Sequence, residues 1–116
     1  MSRVVALMDD LFFQMKVAET AKHLGVELRV ATTGEALLSL LEPRPGLVIV
    51  DLNSRNRPIE AVERLRVREP HLPVVAFLSH VQHDLAAEAQ RAGCSEVLPR
   101  SAFTLRLAEI LGRAKD

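Results

Sequence analysis

The chain has 116 residues, 48% hydrophobic and 26% charged, which is the size and composition of one soluble globular domain. Fifteen basic and fifteen acidic side chains give a formal net charge of zero, so no basic excess supports nucleic acid or an anionic membrane as a partner. A single cysteine, Cys94, excludes an internal disulfide, and the lack of a signal peptide or bilayer-length apolar run predicts a cytoplasmic protein.

Apolar runs alternate with helical patterns from the first residues onward. The predicted elements of the first half are a buried strand over 4–8, a helix over 11–24 that ends at Gly25, a strand over 26–31, a helix over 36–41 and a buried strand over 47–51. Thr32 and Glu35 have the spacing of a capping box ahead of the second helix. The second buried strand ends in Asp51, which therefore stands at a carboxyl end.

The second half continues the same alternation. Its predicted elements are a helix from Pro58 to the residue before Pro70, a strand over 74–78, a helix over 84–92, a short strand over 96–98 and a last helix capped by Ser101. Five strands that alternate with five helices predict an α/β doubly wound fold. Its five-stranded parallel sheet is covered by helices on both faces and joined by right-handed crossovers.

Polar side chains follow the predicted buried strands, at the edge where such sheets bind ligands. These residues are Asp9, Asp10, Asp51, Ser79 and Arg100. Carboxylates this close to one another need a positive partner to stay ionised together. Two positive groups could serve as that partner. One is Mg²⁺, which prefers carboxylate, carbonyl and water oxygens. The other is the guanidinium of Arg100, which pairs with carboxylates or phosphates.

Together these residues resemble the receiver domain of two-component response regulators, the chemotaxis-regulator-like family, over essentially the whole chain. The resemblance implies a flavodoxin-like (βα)5 sheet with strand order 2-1-3-4-5, in a single domain over residues 1–116 without an output domain. It also implies a signalling protein rather than an enzyme. The implied site residues are Asp51 as phosphoacceptor, Asp9, Asp10, Asp51 and the carbonyl of Asn53 as Mg²⁺ ligands, and Ser79 and Arg100 as switch or phosphate contacts.

The resemblance also implies the partners of such a module. They are a histidine kinase or another signalling protein, or a second copy of the chain in a homodimer. In receivers the last helix, with the strand and helix before it, forms the usual partner surface. The apolar Leu105 is expected to leave the core side of that last helix.

Several positions depart from the family pattern. An ungapped count places the acidic pair at Met8 and Asp9, with Asp10 one residue late. A count from Pro73 and Gly93 places the threonine position at Leu78, with Ser79 one residue late. An arginine, Arg100, stands where the family has lysine. These departures make a degenerate receiver, or pseudo-receiver, an alternative to a working phosphoacceptor.

Two hypotheses about the site therefore stay open. In the first, Asp51 is phosphorylated with Mg²⁺ present. In the second, Asp51 is a structural carboxylate paired with Arg100 in a site without metal, and the module works by phosphorylation-independent protein interaction. Val97 occupies the aromatic switch position, and a leucine at position 78 lacks the switch hydroxyl. Both changes favour loss of the coupling between site and surface.

The alternative function is a small-molecule or nucleotide-binding, or hydrolytic, protein on a flavodoxin-like fold. No glycine-rich phosphate loop follows the first strand, and Ser79 with His80 is a poor nucleophile pair because sequence neighbours point apart. His80 and His83 have metal-pair spacing without a third ligand, which favours surface histidines. Of the neighbours Phe12 and Phe13, only one can face the core. Cys94 is predicted to be a small buried residue.

Overall fold

The computed structural model describes residues 2–79 and 82–115. The strands are β1 (Arg3–Leu7), β2 (Glu27–Ala31), β3 (Leu47–Asp51), β4 (Val74–Leu78) and β5 (Glu96–Pro99). The helices are α1 (Leu11–Leu24), α2 (Gly34–Ser39), α3 (Pro58–Arg68), α4 (His83–Ala92), α5 (Arg100–Leu105) and α6 (Leu107–Gly112). Neighbouring strands pair in parallel in the order β2-β1-β3-β4-β5. The doubly wound fold and its strand order are confirmed.

The sheet separates two hydrophobic cores, because successive side chains of a strand point to opposite faces. In β3, Val48 and Val50 pack on one face with side chains of α2 and α3. Leu47 and Ile49 pack on the other face with side chains of α1 and α6. The same alternation assigns Asp51 to the face of Leu47 and Ile49. The acid therefore ends its strand on the side that α1 and α5 cover.

Three phenylalanines form the centre of that second core. Phe77 stacks on Phe103 with ring centroids 4.6 Å apart, and Phe13 lies 5.1 Å from Phe77. The rings come from β4, α5 and α1, so they join these elements beneath the carboxyl edge. Phe12 is 87% exposed, which confirms that only one residue of the pair faces the core. Leu105 is exposed as well, as predicted.

Two helix starts differ from the sequence predictions. The N-cap of α2 is Thr33, whose hydroxyl accepts the N–H of Ala36 at 3.1 Å, so the capping box from Thr32 was wrong. The threonine one position later is closer to the first helical turn. Ser101 does not cap the last helix either. The extended backbone of Pro99 ends β5, α5 begins at once, and Ser101 lies inside it.

The predicted last helix is divided into two short helices, α5 and α6, by Arg106. Its backbone (φ −102°, ψ 11°) leaves the helical region, and its N–H is shared between the carbonyls of Ala102 and Phe103. Neither proline nor glycine marks the break, which is why periodicity alone predicted one continuous helix. In residues 2–79 and 82–115 no helix is both long and apolar enough to cross a membrane.

We expect Phe103→Ala to destabilise the domain by about 3–5 kcal/mol, because it removes a fully buried ring and leaves a cavity between β4 and α1. Urea denaturation followed by circular dichroism measures this loss. The matched control is Phe12→Ala, which removes an exposed ring and should change the free energy of unfolding by less than about 0.5 kcal/mol. Equal losses in both variants would contradict the assigned core.

Candidate functional site

The carboxyl edge of the sheet brings three of the predicted site residues together. Asp10 follows β1, Asp51 ends β3, and Arg100 follows β5. The Nη1 atom of Arg100 lies 3.3 Å from the Oδ2 atom of Asp10, and its Nη2 atom lies 3.8 Å from the Oδ2 atom of Asp51. One guanidinium group thus faces carboxylates from two neighbouring strands.

Asp51 is buried, with 3% of its surface exposed. Its Oδ1 atom accepts the backbone N–H of Asn53 at 2.9 Å. Burial raises the pKa of the Asp51 carboxyl, and the nearby charges of Asp9 and Asp10 raise it further. The Asn53 N–H and the charge of Arg100 act in the opposite direction without cancelling the effect of burial. Ionisation of Asp51 therefore lowers the free energy of unfolding.

Asp10 has a structural role beside its place at the site. It is the N-cap of α1, and its Oδ1 atom accepts the N–H of Phe13 at 3.1 Å. That hydrogen bond, with the smaller contribution of Arg100, lowers the pKa of the Asp10 carboxyl. Because α1 begins directly after this acid, the first turn presents a carboxylate where a nucleotide-binding fold would have a glycine-rich loop.

Arg100 also lies against two aromatic rings. Its Cζ atom is 4.5 Å from the centroid of Phe13 and 5.6 Å from that of Phe77. A guanidinium over an aromatic face is attracted by the ring quadrupole, so these contacts hold it in place. The sequence analysis missed this role of Phe13. No local signal indicates it, because the contact depends on a residue nearly ninety positions away.

Asn53 and Ser79 form a second polar contact along the edge. The side-chain oxygen of Asn53 accepts both the backbone N–H and the hydroxyl of Ser79, at 2.6 and 3.0 Å. The Asn53 amide donates to the side chain of Gln82 at 3.0 Å. The Ser79 hydroxyl is therefore directed to Asn53 rather than to Asp51. Leu78, at the threonine position, is buried in the core.

Asp9 lies at the edge but takes part in a different contact. Its Oδ2 atom accepts the backbone N–H of Arg55 at 3.0 Å. The Asn56 side chain donates to the carbonyl of Thr32, and Arg57 adopts a left-handed backbone with φ 52°. These contacts fix the basic loop after β3 against the ends of β1 and β2.

The chemistry of the donor set suits Mg²⁺, but the arrangement does not. Within the described ranges, no three side chains among histidine, cysteine, aspartate and glutamate are placed to hold a metal ion together. Asp9 is engaged by the loop, Asp10 by the start of α1, and a guanidinium lies between Asp10 and Asp51. In this arrangement the acids do not fit a divalent ion.

Comparison with known proteins identifies the fold. No family model matches the chain. The receiver domain of NtrX from Brucella abortus superimposes with a TM-score of 0.80 at 25% identity, over 96% of both chains. The chain is a receiver-type domain of the response-regulator fold. This receiver-type domain is also similar to the response regulator Rcp1, solved in a Mn²⁺-bound form, with a TM-score of 0.82 at 18% identity over 97% and 93% of the two chains.

A curated relative is longer than this receiver-type domain. The transcriptional activator protein ExaE from Pseudomonas putida is 35% identical over 91 residues, which are 77% of this chain and 42% of ExaE. The chain thus spans less than half the length of that relative.

The remaining candidates are His80, His83 and Cys94. His80 falls outside the described residues, so its interpretation as a surface histidine stays a prediction. His83 is exposed at the first position of α4. Cys94 is buried, which confirms the predicted small buried residue. Burial raises the pKa of its thiol to about 11, which disfavours a reactive thiolate.

We expect Asp51→Asn to stabilise the domain at neutral pH, by about 1 kcal/mol. Burial raises the pKa of Asp51 above 3.8 in the folded state, so the folded chain binds more protons than the unfolded chain above that pH. Stability is therefore lost as pH rises through the folded pKa, and the neutral amide avoids this loss. Thermal unfolding measures this: the melting temperature of Asp51→Asn should exceed that of the unaltered chain at pH 7, and the difference should disappear at pH 3.

The control for this prediction is Asp84→Asn, which neutralises an exposed acid in the first turn of α4. It should not show the pH-dependent gain. A lower melting temperature of Asp51→Asn at pH 7 would mean that the attraction to Arg100 outweighs the burial of the charge.

Proposed function

We propose that the chain is a two-component receiver-type signalling module that acts by binding a partner protein and does not depend on phosphorylation of Asp51. The observation that supports this most is the engagement of both Asp51 oxygens. Oδ1 accepts the Asn53 N–H, and Oδ2 faces the guanidinium of Arg100. The acid of the phosphoacceptor position thus has a hydrogen bond and an ion pair within its own chain.

The polar contacts around Ser79 support the same proposal. Its hydroxyl is bonded to Asn53, and Leu78 supplies no hydroxyl from within β4. Val97, half-buried in β5, lines an apolar cavity of about 130 Å³ with Leu78 and Ala86. These residues offer packing contacts rather than a hydroxyl–aromatic pair that would relay a modification to the surface.

The second candidate is a receiver that accepts a phosphoryl group at Asp51. It is favoured by the position of this acid at the carboxyl end of β3 and by the Mn²⁺-bound form of the similar Rcp1. In that case the metal ligands would be Asp9, Asp10, Asp51 and the carbonyl of Asn53. Ser79 and Arg100 would be the switch or phosphate contacts. Arg100 would then have to leave at least one of its two acids.

The partner we propose is a histidine kinase or another signalling protein, with a second copy of the chain as the alternative. A zero net charge gives no support for direct binding of DNA. ExaE, by its name a transcriptional activator, is more than twice the length that the chain matches, so any transcriptional output belongs to a longer protein of which this domain would form the receiver part. We propose no enzymatic activity, and a cytoplasmic location.

Incubation with acetyl phosphate and Mg²⁺, followed by intact mass spectrometry, tests the phosphorylation-independent proposal. We expect no mass gain of one phosphoryl group. Beryllofluoride with Mg²⁺ should likewise leave the amide resonances near Asp51 unshifted. The physical reason is that the entering group must displace the Arg100 guanidinium from a buried carboxylate.

Asp51→Asn serves as the control, since it removes the acceptor and retains the side-chain shape. A mass gain in the unaltered chain that is absent from this variant would establish the phosphoacceptor instead. The protein-binding half of the proposal is checked by calorimetry with purified histidine-kinase cores, where Asp51→Asn should change the Kd of a binding core by less than about twofold.

A further inference from the structure

The charges of the sheet edge converge on one cation, the guanidinium of Arg100. It lies 3.3 Å from an oxygen of Asp10 and 3.8 Å from an oxygen of Asp51. Building on the proposed function, we propose that Arg100 is a built-in counter-cation that excludes divalent metal ions from these acids. The site then keeps its charge balance without a metal, and replacing Arg100 opens a divalent-cation site.

The position of this cation is fixed by more than its two ion pairs. The guanidinium lies over Phe13 at 4.5 Å and near Phe77 at 5.6 Å, and both rings belong to the buried core. Only 32% of the Arg100 side chain is exposed, which separates it from the mobile arginines of an ordinary surface. The backbone is held as well, because the Thr104 hydroxyl donates to the Arg100 carbonyl at 2.8 Å.

A divalent ion and this guanidinium compete for the same oxygen atoms. Mg²⁺ needs oxygen ligands in octahedral geometry at about 2 Å. The Oδ1 atoms of Asp10 and Asp51 each accept a backbone N–H, and their Oδ2 atoms face Arg100, so a metal that binds these carboxylates competes with contacts already made. A metal bound there would meet a like charge that the aromatic rings hold in place.

The fork of an arginine suits this role better than the amine of a lysine. Two separate nitrogens of Arg100 face two separate carboxylates, whereas lysine offers a single charged atom. The guanidinium also lies over the Phe13 ring, with its Cζ atom 4.5 Å from the ring centroid. Arg100→Lys should therefore weaken the exclusion of metal without removing the positive charge.

Mn²⁺ titration followed by paramagnetic broadening in NMR spectra tests the proposal. In the unaltered chain, amide resonances near Asp10 and Asp51 should show no saturable broadening at low millimolar Mn²⁺. In Arg100→Met we expect saturable broadening there, with an affinity at least roughly tenfold tighter, and an intermediate affinity in Arg100→Lys. The matched control is Arg106→Met, which removes a charge paired with Glu109 away from the edge and should behave like the unaltered chain.

Asp51→Asn added to Arg100→Met should abolish the gain, which ties binding to this carboxylate. If Arg100→Met does not fold, as judged by circular dichroism, Arg100→Lys carries the test. Saturable Mn²⁺ binding to the unaltered chain, as tight as in the Arg100 variants, would overturn the proposal. That result alone would leave the proposed function standing, because the acetyl phosphate and calorimetry experiments test that function separately.

Discussion

The structure of the carboxyl edge depends on the need to neutralise buried acids. Asp51 ends a strand that is buried along its whole length, where an ionised carboxylate is costly unless it is paired and hydrogen-bonded. Arg100 supplies the charge, and the backbone of Asn53 supplies a hydrogen bond. Because Arg100 also faces Asp10, the ends of β1, β3 and β5 are joined by one side chain.

Strand alternation explains why this arginine reaches these acids. Asp51 is the register partner of Phe77 in the neighbouring strand, on the sheet face where Phe13 and Phe103 pack. The aromatic core thus provides a surface directly beneath the acid. Arg100 lies on that surface at the start of α5, so the hydrophobic contacts that stabilise the fold also position the cation.

The sequence predicted the strands, their parallel pairing and the acids at their ends. A short continuous apolar run that ends in aspartate is typical of a buried parallel strand with the acid at its carboxyl end. The order of the strands came from the family resemblance. What each acid contacts could not be predicted in full: Asp10 caps α1 and Asp9 holds the loop after β3. The position of Phe13 under Arg100 and the pairing of Ser79 with Asn53 depend on distant residues that come together only in the folded chain.

A signalling domain that responds to a modification needs two packed arrangements of similar free energy. Leaving the arrangement described here would require Arg100 to lose two carboxylates and its contact with Phe13 at the same time. If the loop after β3 moved together with Arg100, the hydrogen bonds of Asn53 with Ser79 and Gln82 would be lost as well. The contacts of the edge therefore favour one arrangement, which suits a module whose binding surface is preformed and whose partner recognises it without a prior chemical change.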